Sequence, residues 1–239
     1  VIKSLFSNRL INVHGTRLPQ NRGGGNYSWR ILMGNRLGFS QLHMVDDGVD
    51  TGSIVATEEY LYPPECRKPI DFEKFSIMKD KKFISNFILN LKKSSRQIQL
   101  LQQSNYFSTY WPRLNTAIHG WIDWGETIIS MERFICAFDE PYAGAKTTLN
   151  GKVVSLKDVM IDFSDPEFHP YQSGIIYRLN PNWISVCSNG GTLIIQKVLD
   201  KNGSNLIKSL KEGDRFITPV EKLTSRYERI IYNSEGIKS

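Results

Sequence analysis

Asn150-Gly151 separates the runs 145–149 and 152–156, and no other local feature restricts so strongly what this chain can fold into. Both central residues of a type I′ turn need positive φ, which Asn and Gly adopt cheaply, so the pair specifies a two-residue β-hairpin. The runs 175–179, 183–186 and 192–198 add further short strands, the last two divided by Ser188-Asn189-Gly190-Gly191. Five such strands suit a small barrel or sandwich. Residues 141–239 therefore read as a β domain.

The texture before residue 104 is different. Ile11 and Val13 are bracketed by turn formers, which suits a short strand after a helical turn through Ile2, Leu5 and Phe6. Gly15, Pro19, Gly23, Gly24 and Gly25 make 15–28 a loop. A short helix over 27–33, a strand over 39–45, a turn at Asp46-Asp47-Gly48 and a strand through Ile54 and Val55 follow. Beyond Pro63, Pro64 and Pro69, the residues Phe83, Phe87 and Leu91 recur four apart, with Ile84 and Ile88 beside them, which predicts an amphipathic helix. Lys92, Lys93 and Arg96 would complement its C-terminal dipole. Residues 1–103 read as one domain and 104–140 as a linker and helix rich in Tyr106, Phe107, Tyr110, Trp111, Trp121 and Trp124. These tryptophans are expected to pack rather than to stack on a base.

With 40% hydrophobic and 23% charged residues, the chain is ordinary globular material. It has no apolar run near the roughly 20 residues that span a bilayer, and a cytoplasmic setting with no membrane partner is expected. Cys66, Cys136 and Cys187 are odd in number and lack ligand spacing, which suits a reducing compartment and argues against zinc. The net charge of +6 is spread among interleaved acids, equally compatible with an anionic substrate and with a solvated surface.

Asn12 and His14 are two apart, so on a strand they share a face. Asp50 opens Asp50-Thr51-Gly52, where a glycine permits close backbone approach. An amide, an imidazole and a carboxylate are what acyl transfer to an amine needs: a donor for a developing oxyanion and groups to manage a proton. Each also serves turns and caps, and local spacing alone leaves both readings open.

A longer pattern bears on that choice. Asn12-Val13-His14-Gly15-Thr16-Arg17-Leu18-Pro19, Arg22-Gly23, Trp29 and Asp50-Thr51-Gly52 resemble the 10-formyltetrahydrofolate-dependent formyltransferases, including the separation of Asp50 from the Asn-x-His motif. Tyr110-Trp111-Pro112, Ile122-Asp123-Trp124 and Pro141-Tyr142-Ala143-Gly144-Ala145 extend the resemblance into the second half. Gly15-Thr16-Arg17 departs from the more usual Pro-Ser-Leu, and the three glycines 23–25 are unusual.

The resemblance implies an α/β class, with the C-terminal part of a doubly wound, Rossmann-like domain followed by a small β-barrel of the oligonucleotide-binding type. It implies early strands ahead of Asn12, so a longer N-terminal segment is expected. It makes Asn12, His14 and Asp50 catalytic and 10-formyltetrahydrofolate the co-substrate, with Asp46, Asp47, Gly48 and Val49 touching its pterin and no metal. Arg17, Arg22 and Trp29 are the candidates for substrate binding. The neutral Gln20-Asn21 favours a nucleotide-linked amino sugar of surface polysaccharide synthesis as acceptor, with methionyl-tRNA as the alternative. An inactive binding or assembly domain is a third reading, and a homodimer is reasonable.

Overall fold

Ile11, Asn12, Val13 and His14 form β1 (Ile11–His14), which pairs antiparallel with β3 (Leu37–Met44) so that Asn12 faces His43 and His14 faces Gln41. In this computed structural model residues 6, 9–24, 26–93, 98–165, 167–233 and 236–237 are described. The expected first helical turn falls largely outside them; Phe6 stands in a turn. Two compact units emerge, residues 1–27 with 35–113, and residues 28–34 with 114–239.

In the first unit, β3 is central between β1 and β4 (Ile54–Leu61), all antiparallel. Among the described residues this sheet is antiparallel throughout, not the parallel arrangement of a doubly wound core. Between the Leu42–Ala56 and His43–Ile54 pairs the register slips, leaving Val55 as an extra residue on β4. A bulge of this kind re-aims neighbouring side chains. The loop after β1 contains β2 (Arg22–Gly23), which pairs in parallel with β5 (Tyr110–Trp111). Gly23 has φ +97°, and a Cβ there would lie 2.5 Å from the Trp111 carbonyl oxygen, so both torsion and space require glycine. Gly25 lies outside the described residues.

Helix α1 (Asn26–Leu32) precedes β3, and the long helix α2 (Pro69–Lys93) follows β4. Its seat differs from the expected stripe. The residues of α2 that sink into the unit are Pro69, Phe72, Ser76 and Phe83; Tyr60 and Tyr62 hydrogen-bond to Ser76, and the Ser40 hydroxyl donates to Asp80 at 2.5 Å. Phe87 and Ile84 are half-buried, while Ile88 and Leu91 are 45% and 42% exposed. Length explains the mismatch: 25 helical residues rise about 37 Å, whereas the eight-residue strands β3 and β4 run about 26 Å. The sheet ends before the helix does. Lys92 and Lys93 form its exposed end, and residues 94–97 lie outside the described residues.

The second unit takes residues 28–32 of α1 and adds α3 (Thr116–His119) and α4 (Ile128–Ala137) before its sheet. Thr127 caps α4 by accepting from the Ser130 amide. The expected hairpin is present as β6 (Ala145–Leu149) and β7 (Lys152–Asp162), with Asn150 and Gly151 at φ 49° and 75°. β8 (Ile176–Asn180), β9 (Trp183–Ser188) and β10 (Gly191–Leu199) continue the antiparallel sheet, and β11 (Phe216–Ile217) flanks β6. The order β11-β6-β7-β10-β9-β8 curls until Ile175 bridges Arg215, the Ile176 amide donating to Asp214 and the Phe216 amide to Gly174. This closure satisfies edge groups that an open sheet would leave bare. Ile122, Met131, Ile135, Phe138, Leu156, Ile184, Leu193 and Ile195 fill the interior. Trp121 and Trp124 are buried too; Trp124 stacks on Phe216 at 5.5 Å and donates to Thr147.

Candidate active site

Alternation along β1 places Asn12 and His14 on one face of the sheet, with Ile11 and Val13 on the other. His14 Nε2 lies 2.9 Å from the carbonyl oxygen of Asn21, which can only accept, so Nε2 bears the proton and Nδ1 is left as a lone pair. That lone pair faces Asp50 Oδ1 across 3.8 Å. Thr16 braces the same corner, 2.6 Å from Nε2 and donating to Asn21 O. Burial lowers the pKa of His14, against the raising influence of the Asn21 carbonyl and of Asp50, with His43 adding to the decrease. The resting imidazole is neutral at physiological pH.

Asp50 has φ 54°, a left-handed conformation that Asp tolerates better than most residues. Its two oxygens have different partners. The Gly23 amide donates to Oδ2 at 3.0 Å, while Oδ1 faces both His14 and His43, the latter at 3.6 Å. Gln103 holds the strained backbone from behind, its amide donating to the carbonyls of Asp50 at 2.9 Å and Gly52 at 2.6 Å. The Gln103 carbonyl in turn accepts from Nε and Nη2 of Arg22, whose Nη1 donates to Asn105. Arg22 is thus buried and tied to the frame behind Asp50. Gly52 is required for another close approach than the one to a ligand: a Cβ would fall 1.8 Å from the Met44 carbonyl oxygen.

Asp46, Asp47, Gly48 and Val49 form an exposed turn, in which Asp46 accepts from the Gly48 amide and from Thr51. Arg17 is exposed in the loop after β1. Trp29 lies half-buried on α1, within the second unit.

Two residues of the site escape sequence reasoning. His43 sits opposite Asn12 in the ladder, is 3% exposed, and lies 3.1 Å from the Asn12 amide nitrogen. Its ring meets His14 edge to face at 5.8 Å. The alternation of Gln41 and His43 on a predicted strand is the signal that existed. Gln103 carried none. His14, His43 and Asp50 also bring potential ligand atoms within 4.8 Å of one another, a grouping that cysteine and histidine spacing alone did not reveal.

Comparison with known proteins gives this geometry a family. A model described as Formyl transferase matches residues 1–65, and one described as Formyl transferase, C-terminal domain matches residues 116–211. The chain belongs to the formyltransferase superfamily. Similar to this formyltransferase chain is a methionyl-tRNA formyltransferase of Syntrophus aciditrophicus (strain SB), 30% identical over 201 residues that make up 80% of this chain and 59% of that protein. The chain spans about three fifths of the length of the curated relatives it matches. Among solved structures, an N-formyltransferase from Helicobacter canadensis in complex with folinic acid and dTDP-3-aminofucose aligns with TM-score 0.59 and 18% identity, over 80% of this chain and 66% of that one. HypX from Aquifex aeolicus aligns with TM-score 0.62 and 14% identity, over 83% of this chain and 34% of the other. The formyltransferase fold is therefore an α/β region followed by a curled sheet resembling a half-barrel of the oligonucleotide-binding kind.

Proposed function

We propose that this chain carries the catalytic residues of a formyl transfer from 10-formyltetrahydrofolate to a primary amine. The observation that carries the reading is the meeting of a neutral, lone-pair-bearing His14 Nδ1 with Asp50 Oδ1 beside the Asn12 amide. The amine nitrogen attacks the formyl carbon, and the carbonyl electron pair moves to oxygen. Asn12 donates an N–H to that oxygen as its charge develops. His14 Nδ1 takes the proton of the attacking amine, and the imidazolium so formed is stabilised by the facing carboxylate. Collapse breaks the bond from carbon to the folate nitrogen, which leaves with a proton returned from His14. The Asp46–Val49 turn is the folate-side candidate, by family resemblance.

For the acceptor, the sequence relatives favour the α-amino group of methionyl-tRNA over the nucleotide sugar that the motifs suggest. A second reading, the amino sugar, draws support from the loop after β1: Arg22 is committed inside, so Arg17 is the exposed cation among described residues 15–24. Incubation of the full chain with 10-formyltetrahydrofolate and either methionyl-tRNA or a panel of nucleotide amino sugars, read as added formyl mass, tests both. Failure to formylate any of them, with folate shown to bind, would sink the reading.

A further inference from the structure

An amide side chain offers a donor at one end and an acceptor at the other, so Asn12 serves an oxyanion only if something decides which end faces it. The structure contains such a device. His43 Nδ1 lies 2.9 Å from the Met44 carbonyl oxygen, which can only accept, so this contact selects the Nδ1–H tautomer. Nε2 is then a bare lone pair. The Asn12 amide nitrogen, 3.1 Å away, donates into it with one of its two N–H groups. The reverse orientation would set the Asn12 oxygen against that lone pair, two acceptors with no proton between them.

We infer that His43 is a positioning residue for formyl transfer: through its Nε2 it fixes the amino end of Asn12 so that the second N–H is held for the substrate oxygen. This rests on the reading of Asn12 given above. The ladder supports the assignment, because β1 and β3 pair Asn12 with His43, and the register slip beside His43 lies where a bulge re-aims a side chain. Burial supports it as well, since a ring 3% exposed has little room to exchange its partners for water. Asp50 Oδ1, 3.6 Å from the same Nε2, supplies no proton to that contact when ionised, so Asn12 is the donor that satisfies it.

Two substitutions separate this role from mere packing. In His43→Gln the new carbonyl oxygen reaches about where Nε2 stood, whereas in His43→Asn the side chain keeps a partner for Met44 but stops short of Asn12. Turnover of 10-formyltetrahydrofolate with methionyl-tRNA, and in a second arm with dTDP-3-aminofucose, should fall about 100-fold in kcat for H43N, the scale of losing one oxyanion donor. KM should change less than about threefold, and H43Q should recover to within about tenfold of the wild type. Thermal midpoint and folinic acid binding check that each variant is folded. Combining H43N with Asn12→Ala should be no worse than Asn12→Ala alone.

An Asn12→Ala variant of undiminished turnover overturns the role of Asn12 itself. If that variant is impaired, a fully active H43N, or an H43Q as poor as H43N, overturns the role of His43. Where the wild-type chain formylates neither acceptor, the ¹⁵N side-chain amide resonance of Asn12 decides: it should move in H43N and return toward its original position in H43Q, and an unmoved resonance rejects the inference.

Discussion

Asp50 joins a demanding backbone to a chemically divided carboxylate. Its Oδ2 accepts from the Gly23 amide, while Oδ1 faces the imidazoles. Asn can adopt the same left-handed conformation and still accept from Gly23, so Asp50→Asn should keep the thermal midpoint within a few degrees. Without the negative charge that stabilises a protonated His14, kcat should drop by about 10²- to 10⁴-fold, the range for proton-transfer catalysis. Near-normal turnover in steady-state assays would remove Asp50 from the mechanism. His14 adds a prediction about stability. Its pKa is lowered in the folded state, chiefly by burial, so the unfolded chain binds the proton more readily. The neutral form's contribution is therefore fully present above the ordinary value of 6.5 and is lost as pH falls through the folded pKa. Chemical denaturation between about pH 7.5 and 5 should show stability falling with acid, and the fall should be shallower in His14→Asn. Equal slopes would contradict the burial argument. That Asn12, His14 and Asp50 gather at one place was expected from the family resemblance of the Asn-x-His and Asp-Thr-Gly motifs, since strand alternation and a turn glycine alone left a turn or cap role open. His43 was not, since its approach depends on cross-strand register across a loop whose length no local pattern encodes. Arg22 was readable as a cation but not as one spent inside the fold.

At the scale of elements, the residues that alternate or punctuate were legible and those that depend on a partner's extent were not. Asn150-Gly151 specified its hairpin because the turn's torsions are local. Periodicity located α2 yet misjudged which turns are seated, because the seat is limited by strands eight residues long. The two ends of that helix should respond differently to truncation. Phe83→Ala removes a buried ring and should cost about 3–5 kcal/mol, whereas Leu91→Ala, on an exposed turn, should stay within about 0.5 kcal/mol. Urea midpoints of the two variants check this, and a comparable loss at Leu91 would mean that the exposed turns are covered in solution.

For the molecule as a whole, the acceptor question becomes one of ionic strength. Transfer RNA presents an extended phosphate backbone, and a protein that neutralises several phosphates loses affinity by orders of magnitude between about 50 and 200 mM salt. A nucleotide sugar carries a single diphosphate and should weaken far less over the same interval. Binding isotherms at four salt concentrations should give a steep logarithmic slope if methionyl-tRNA is the acceptor and a shallow one for the sugar. Arg17→Ala should raise KM for whichever anion the loop meets, and an unchanged KM would place the anion elsewhere. The tie from Gln103 to the Asp50 and Gly52 carbonyls has a consequence for engineering. The segment from Ile11 to Ser53 contains Asn12, His14, His43 and Asp50, which makes it look like a cassette that can be grafted onto another scaffold. It is not one, because the clasp that holds the carboxylate's backbone arrives half a hundred residues later. A transplant lacking residues 101–105 would carry all four proposed side chains and leave the Asp50 carboxylate without the clasp that sets its backbone.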